Sequence, residues 1–344
     1  VKAHTFLILL PSMFFVFIGF FTPNEALSKP FIGDHTSIDQ VYENGRLLRA
    51  QFKNREAREY LKYSMKKGSA KGFYLYAIEL KGYNQTVRTD SNVYDYISRA
   101  AELGDKQAVR YLALGELSED VSFFWKDKYF ELLNQLVNED KGQAFFEFYL
   151  FYQHSDLELA KDYLKKSVAL MHPVALMVQG DLIMQGDGPY WFSFTRKKAS
   201  IETYKQAAET YYLPAIKKFI NILDEIGDED QAFEWLLKAA GLGDLSSIAL
   251  VARTLSGKRG VHKYAPLSLS QAKAYYDIYI DIAGQDKFSA LYKSMLAEQY
   301  DLVNKMSDEQ LKEADQNIIK IKENVKYFYS SDIFWFDDGY LYSL

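Results

Sequence analysis

Apolar and polar residues alternate along this chain with the spacing of short amphipathic helices. From Gln231 to Ala240 the order Gln-Ala-Phe-Glu-Trp-Leu-Leu-Lys-Ala-Ala puts the apolar residues on one helical face. A turn containing Gly243 follows, and a second helix is expected to start near Ser247. The stretch from Ala175 to Gly186 reads as the second helix of another such unit. The predicted building block is therefore helix, Gly-containing turn, helix, and a connection of variable length.

The block repeats. Lys67-Gly68-Ser69-Ala70-Lys71-Gly72 is echoed 36 positions later by Leu103-Gly104-Asp105-Lys106-Gln107-Ala108, and again around Asp140-Lys141-Gly142-Gln143-Ala144. Self-similarity at this period is the signature of a stacked array. Aligned on their last small residue, the units give a column of Gly72, Ala108, Ala144, Ala175, Ala215 and Ser247. Such a column is what closely crossing helices require, because a larger side chain would force them apart. Four residues earlier stand Gly68, Gly104 and Gly243, with Asp140, Met171 and Tyr211 as exceptions. Glycine there suits a residue just past a helix end with positive φ. Eight residues before that column lies an aromatic: Tyr60, Tyr96, Tyr163, Trp235 and, by extension, Tyr275.

These columns resemble the Sel-like repeat (SLR), a relative of the tetratricopeptide repeat. Arg99-Ala100-Ala101-Glu102-Leu103-Gly104 and Lys238-Ala239-Ala240-Gly241-Leu242-Gly243 carry the likeness most closely; Ala175, Gly180 and Gly186 match its front half, and Gln206-Ala207-Ala208-Glu209 the end of another copy. The resemblance covers roughly residues 55–300. It implies an all-α fold, a right-handed superhelix of about six helix pairs, used mostly as an adaptor or inhibitor of other proteins. Residues 29–54 read as a lead-in. Ser307-Asp308-Glu309-Gln310 reads as a capping box opening a terminal cap within 301–326, which would cover the last repeat. The remaining 327–344 are too apolar for a solvated tail, so they fold back on the array or dock a partner.

The N-terminus follows a different pattern. Lys2 precedes an almost uninterrupted apolar stretch from Phe6 to Phe21, and Ala26-Leu27-Ser28 offers small residues at a cleavage site. This order reads as a secretory signal peptide over residues 1–28. Sixteen residues rise about 24 Å in a helix, short of a hydrocarbon core of about 30 Å, which disfavours the rival reading as a membrane anchor. A periplasmic or secreted protein is expected, with no membrane span after cleavage.

Composition narrows the chemistry. The 344 residues include no Cys, excluding disulfides and thiolate metal sites, and the net charge of −5 with no basic block argues against nucleic acid as a partner. His35, His154, His172 and His262 form no patterned set with carboxylates, and neither a nucleophile elbow nor a phosphate-binding loop is present. No catalytic residue, metal ligand or cofactor is expected. The acidic run from Asp224 to Asp230 reads as a solvated turn, and His172-Pro173 as part of a repeat turn.

The 27 Tyr and 24 Phe serve either to fill gaps between helices or as exposed recognition groups. Three segments that the repeat does not require are the first places to look for a contact. They are the 187–194 loop with Tyr190, Trp191, Phe192 and Phe194, the 257–264 loop with Arg259, His262 and Tyr264, and the tail with Phe334, Trp335 and Phe336. For the first two, packing on a neighbouring repeat and ordinary solvation are the alternatives. The expectation is a non-enzymatic partner of another protein. Its narrowest form, by analogy with exported members of the resembled family, is an immunity protein neutralising a toxic effector such as a type VI secretion lipase. An envelope scaffold or regulator and, more remotely, a cell-wall hydrolase are the alternatives.

Overall fold

Six tight turns organise the structure, a computed structural model that describes residues 36–83, 92–115, 119–258 and 266–330. All of these lie in one contact unit, Ile32–Leu344; the other unit, Val1–Phe31, falls outside the described residues, and with it the predicted signal peptide. The described residues are built from helices: α1 (Ile38–Ala50), α2 (Asn54–Lys66), α3 (Ala70–Tyr83), α4 (Asn92–Glu102), α5 (Lys106–Leu114) and α6 (Glu119–Glu139). There follow α7 (Lys141–Tyr152), α8 (Leu157–Ala169), α9 (Pro173–Gln185), α10 (Ser193–Glu209) and α11 (Leu213–Ile226). The last five are α12 (Glu229–Gly241), α13 (Leu245–Leu255), α14 (Leu269–Ile282), α15 (Ser289–Val303) and α16 (Asp308–Asn324). From α1 to α15 each helix packs on the next, as in an α-solenoid, and α16 returns to pack on α14. The tight turns join α2–α3, α4–α5, α6–α7, α8–α9, α10–α11 and α12–α13, giving six helix pairs flanked by α1 and by α14–α16.

The turn column has the conformation its glycines demand: φ is +88° at Gly68 and Gly104 and +92° at Gly243. Met171 and Tyr211, the non-glycine exceptions, adopt the same left-handed conformation at φ +59°. Asp140 differs. It has φ −145°, and its carboxylate accepts from the Gln143 amide as the N-cap of α7, so α6 runs almost directly into α7 and this turn lacks the left-handed residue. Asp105, His172 and Asp244 cap α5, α9 and α13 in the same way, accepting the amides of Ala108, Ala175 and Ser247. By that register Asp140 belongs with the caps, one position away from where alignment on the small column puts it. The small column itself is buried, from Ala108, Ala144 and Ala175 at 0% exposure to Ser247 at 3%. A Cβ on Gly72 would come within 2.8 Å of the Met65 backbone nitrogen, which is why no side chain is carried there.

The two ends of the array meet. The turn after α1 receives the connection between α14 and α15: Gly284 N–H donates to Gln51 O at 2.7 Å, and Asp286 N–H to Phe52 O at 3.1 Å. The ring of Phe52 meets Phe288 edge-on, with centroids 4.9 Å apart. Beyond α16, residues 327–330 fold back between the two ends. Tyr329 N–H donates to Gly243 O, Leu245 N–H donates to Tyr329 O, and Ser330 N–H donates to Ala50 O. Gln51 adds a side-chain bond to Phe328 O. Residues 331–344, with Phe334, Trp335 and Phe336, lie outside the described residues. Ser307 and Gln310 form a complete capping box at the start of α16.

This strap makes two chemically similar glycines unequal. A Cβ on Gly104 meets nothing within 4 Å, whereas one on Gly243 would fall 2.1 Å from Tyr327 O. Gly104→Ala is expected to lower stability by about 1 kcal/mol, from the left-handed backbone alone. Gly243→Ala should lose roughly 2 kcal/mol more through overpacking and release residues 325–330, read by urea unfolding and by faster proteolysis of the C-terminus.

Candidate functional site

The odd-numbered helices are tied to one another by polar contacts at each step along the array. Arg49 of α1 pairs with Glu79 of α3 at 2.8 Å, and Lys81 of α3 donates to Tyr111 of α5 at 2.6 Å. Arg110 of α5 pairs with Glu147 of α7 at 2.7 Å. The next step runs from Gln143 of α7 to His172 at the head of α9, at 2.8 Å. Asp181 of α9 pairs with Lys218 of α11 at 3.4 Å, and Lys217 of α11 with the α13 cap Asp244 at 3.7 Å. Arg253 of α13 completes the ladder through Glu298 of α15 at 2.6 Å. The partners lie roughly one repeat apart in sequence, so the ladder is a product of stacking.

Its centre is its most buried part. Arg110 and Glu147 expose only 5% and 4%. Glu147 accepts from Arg110 Nε, from the Tyr129 hydroxyl and, at 2.7 Å, from Gln143 Nε2. Burial acts to lower the Arg110 pKa, but Glu147 and Tyr129 outweigh it and the net shift is upward. Burial, reinforced by Glu147, pushes the Tyr129 phenol well above its ordinary value. A carboxylate saturated by three donors is a recognition and positioning group, not a free base.

His172 extends this network. Its Nδ1 accepts the Ala175 amide at 3.3 Å, so a neutral ring carries its proton on Nε2 and donates to Gln143 Oε1. The ring stacks on Phe146 with centroids 5.1 Å apart. Desolvation pushes its pKa down to about 4, partly opposed by Asp140. A depressed histidine pKa means that the unfolded chain binds the proton first as pH falls from about 6.5. The stability held above that pH is therefore lost down to about 4, where the folded state also protonates. The loss by pH 4.5 is expected to be about 2–3 kcal/mol. His172→Asn, which keeps a capping oxygen, should remove that share of the acid sensitivity in denaturation curves at pH 7.5 and 4.5.

Three adjoining clefts run along this face. The first, of about 480 Å³, is lined by Gln40, Glu43, Asn44, Arg46 and Leu47 of α1 and by Tyr327 and Tyr329 of the strap. The second, of about 220 Å³, shares Glu43 and Arg46 with it and continues over Lys71, Tyr74, Asp105 and Gln107. The third, of about 310 Å³, shares Gln107 with the second. Its floor is Arg110, Tyr129, Gln143 and Glu147, and Leu132, Leu133 and Leu136 of α6 form an apolar wall. Together they make a groove from the strap across α1, α3 and α5 to α7, with charged, amide and apolar groups in alternation.

Of the residues singled out in the sequence, those that the structure describes, Tyr190, Trp191, Phe192 and Phe194, do not line these clefts. Trp191, Phe192 and Phe194 are 94%, 65% and 70% exposed, and Tyr190 is half-buried. The 187–194 loop thus does not bury these three rings on a neighbouring repeat. Arg259, His262 and Tyr264 fall outside the described residues, as do Phe334, Trp335 and Phe336. The acidic run is spent on helix ends: Gly227 closes α11, Asp228 caps α12, and Glu229 and Asp230 occupy its first turn. Among the described residues no three His, Asp or Glu side chains come together in a way that could hold a metal ion, and no helix is long and apolar enough to cross a membrane.

No protein-family model matches the chain, and no curated protein matches it in sequence. Among solved structures, it is similar to a protective antigen of uropathogenic Escherichia coli strains displaying an SLR fold, at 16% identity and a TM-score of 0.40. That match covers 86% of this chain and 62% of the antigen, so the chain spans less than two thirds of that protein's length. An immunity protein from Pseudomonas aeruginosa is similar at 19% identity and a TM-score of 0.38, over 67% of this chain and 83% of that one. A Sel1 repeat protein from Oxalobacter formigenes is similar at 18% identity and 0.36, over 81% and 87%.

Proposed function

We propose that this protein is a binding protein without catalysis of its own, which grips a segment of another protein in the groove across α1, α3, α5 and α7. The observation that carries this reading is the continuity of the three clefts, which share Glu43, Arg46 and Gln107. Paired donors and acceptors beneath the groove fix its floor before a partner arrives, which lowers the entropy lost on binding. The leucine wall offers the apolar contact and the exposed Lys71 an ionic one.

The protein acts in the bacterial envelope, a reading supported by the charge, apolar run and small-residue exit of its first 28 residues. In its narrowest form it is an immunity protein that occupies a toxic effector, such as a type VI secretion lipase, and so neutralises it. The test is co-expression with an effector encoded next to it, with cell survival and co-purification as readouts. Protection by wild type, lost in a Lys71→Glu, Gln107→Arg double variant that still folds, is the expected result. Protection by neither would sink the immunity reading, and protection by both would sink the groove as its site.

A further inference from the structure

A second surface lies apart from the groove. Trp191, Phe192 and Phe194 project at the entry to α10, and Phe192 and Phe194 stack on each other with centroids 5.9 Å apart. Directly behind them come Arg196, Lys197 and Lys198, three consecutive cations in a chain of net charge −5. None of the three has an ion-pair partner among the described residues, and neither Asp187 nor Glu202, the acids nearest in sequence, pairs with them. Lys197 and Lys198 follow Phe194 at helical spacings of three and four, so all three share one exposed face of α10.

The helix itself gains nothing from these residues. Its N-cap, Phe192, makes no side-chain capping bond, and its first turn carries no acid. Cations at this end oppose the helix dipole.

We propose that residues 191–198 are a docking element for an anionic lipid bilayer. The three rings are exposed and none of them lines the three clefts, while the unpaired cations behind them complement a negatively charged surface. Trp and Phe at a surface tip suit the interfacial zone of a bilayer, where rings sit at headgroup depth. Four helical residues rise about 6 Å, so the ammonium groups of Lys197 and Lys198 lie at phosphate level when Phe194 is immersed. The element would hold the protein against the membrane while the groove stays open to its partner. It is independent of the groove, because the two share no residue.

The absence of cysteine gives a clean test. In the full chain, Ser193→Cys carries a polarity-sensitive fluorophore beside the rings, and Glu234→Cys, at an exposed position on α12, carries it in a control. On titration with phosphatidylcholine vesicles containing phosphatidylglycerol, the label at 193 should shift to the blue and brighten. The label at 234 should not respond, and neither label should respond to phosphatidylcholine alone. Arg196→Gln, Lys197→Gln and Lys198→Gln together should weaken the response roughly 100-fold, at about one phosphate-level contact per cation. Site-specific labels keep lipid binding by the apolar N-terminal stretch out of the readout. A silent label at 193, equal response to neutral vesicles, or equal response at 234 would overturn the proposal. So would a label at 193 that ignores vesicles but responds to an acidic protein.

Discussion

Glu147→Ala is expected to lower the stability of the array by about 3–5 kcal/mol, because it leaves the Arg110 guanidinium buried without its counter-charge. The argument rests on burial more than on the pair itself. Arg110 and Glu147 are 5% and 4% exposed, so each gave up nearly all its hydration on folding. Their attraction across 2.7 Å does little more than offset that loss. Removing one partner retains the desolvation of the other, and strands the Tyr129 hydroxyl and Gln143 amide besides. The same reasoning predicts a recovery. Arg110→Met, Glu147→Leu and Tyr129→Phe combined should restore most of the lost stability, since only the half-buried Gln143 amide, which lines the cleft, then lacks its former partner. Urea unfolding of the single and triple variants decides it. A loss below about 1 kcal/mol for Glu147→Ala would mean that water reaches the pair freely.

Trp235→Ala should cost a similar 3–5 kcal/mol for a different reason. The indole is 7% exposed, meets Phe219 edge-on at 5.5 Å, and carries the Lys238 ammonium 3.7 Å from its ring centre. It belongs to the largest apolar cluster among the described residues, which runs from Tyr204 through α11–α14 to Phe328 of the strap. Truncation opens a cavity between helix pairs that the rigid neighbours cannot close. Trp235→Phe, which keeps a ring in the gap, should lose clearly less. If alanine and phenylalanine behave alike in thermal unfolding, the indole is not a spacer between units.

How much of this was readable in the sequence depends on how far apart the interacting residues lie. The turn glycines were readable because a left-handed residue is a local demand, and Gly68, Gly104 and Gly243 meet it. Met171 and Tyr211 meet it too, without the residue type that signals it: the His172 cap follows the first, and Pro214 in the first turn of α11 follows the second. Asp140 misleads because the α6–α7 turn is two residues shorter than the others. Its capping pattern toward Gln143 was a visible signal, but alignment on the small column hid it. The ladder was not readable. Arg49 and Glu79, or Arg110 and Glu147, are 30 and 37 positions apart, and nothing local marks them as partners until the helices stack. The groove they support was missed for that reason. The aromatic loop was found as a break in the repeat, and the exposure of Trp191, Phe192 and Phe194 speaks only against their packing on a neighbouring repeat.

The groove as the partner-binding face is the central claim, and site-specific photocrosslinking in the producing cell tests it most directly. A photoreactive residue at Gln107, where two of the clefts meet, should capture one discrete protein. One at Glu202, on the exposed face of α10, should not capture it. The account predicts that the Gln107 adduct disappears in the Lys71→Glu variant. The same adduct from both positions, or an adduct from Glu202 alone, would contradict it.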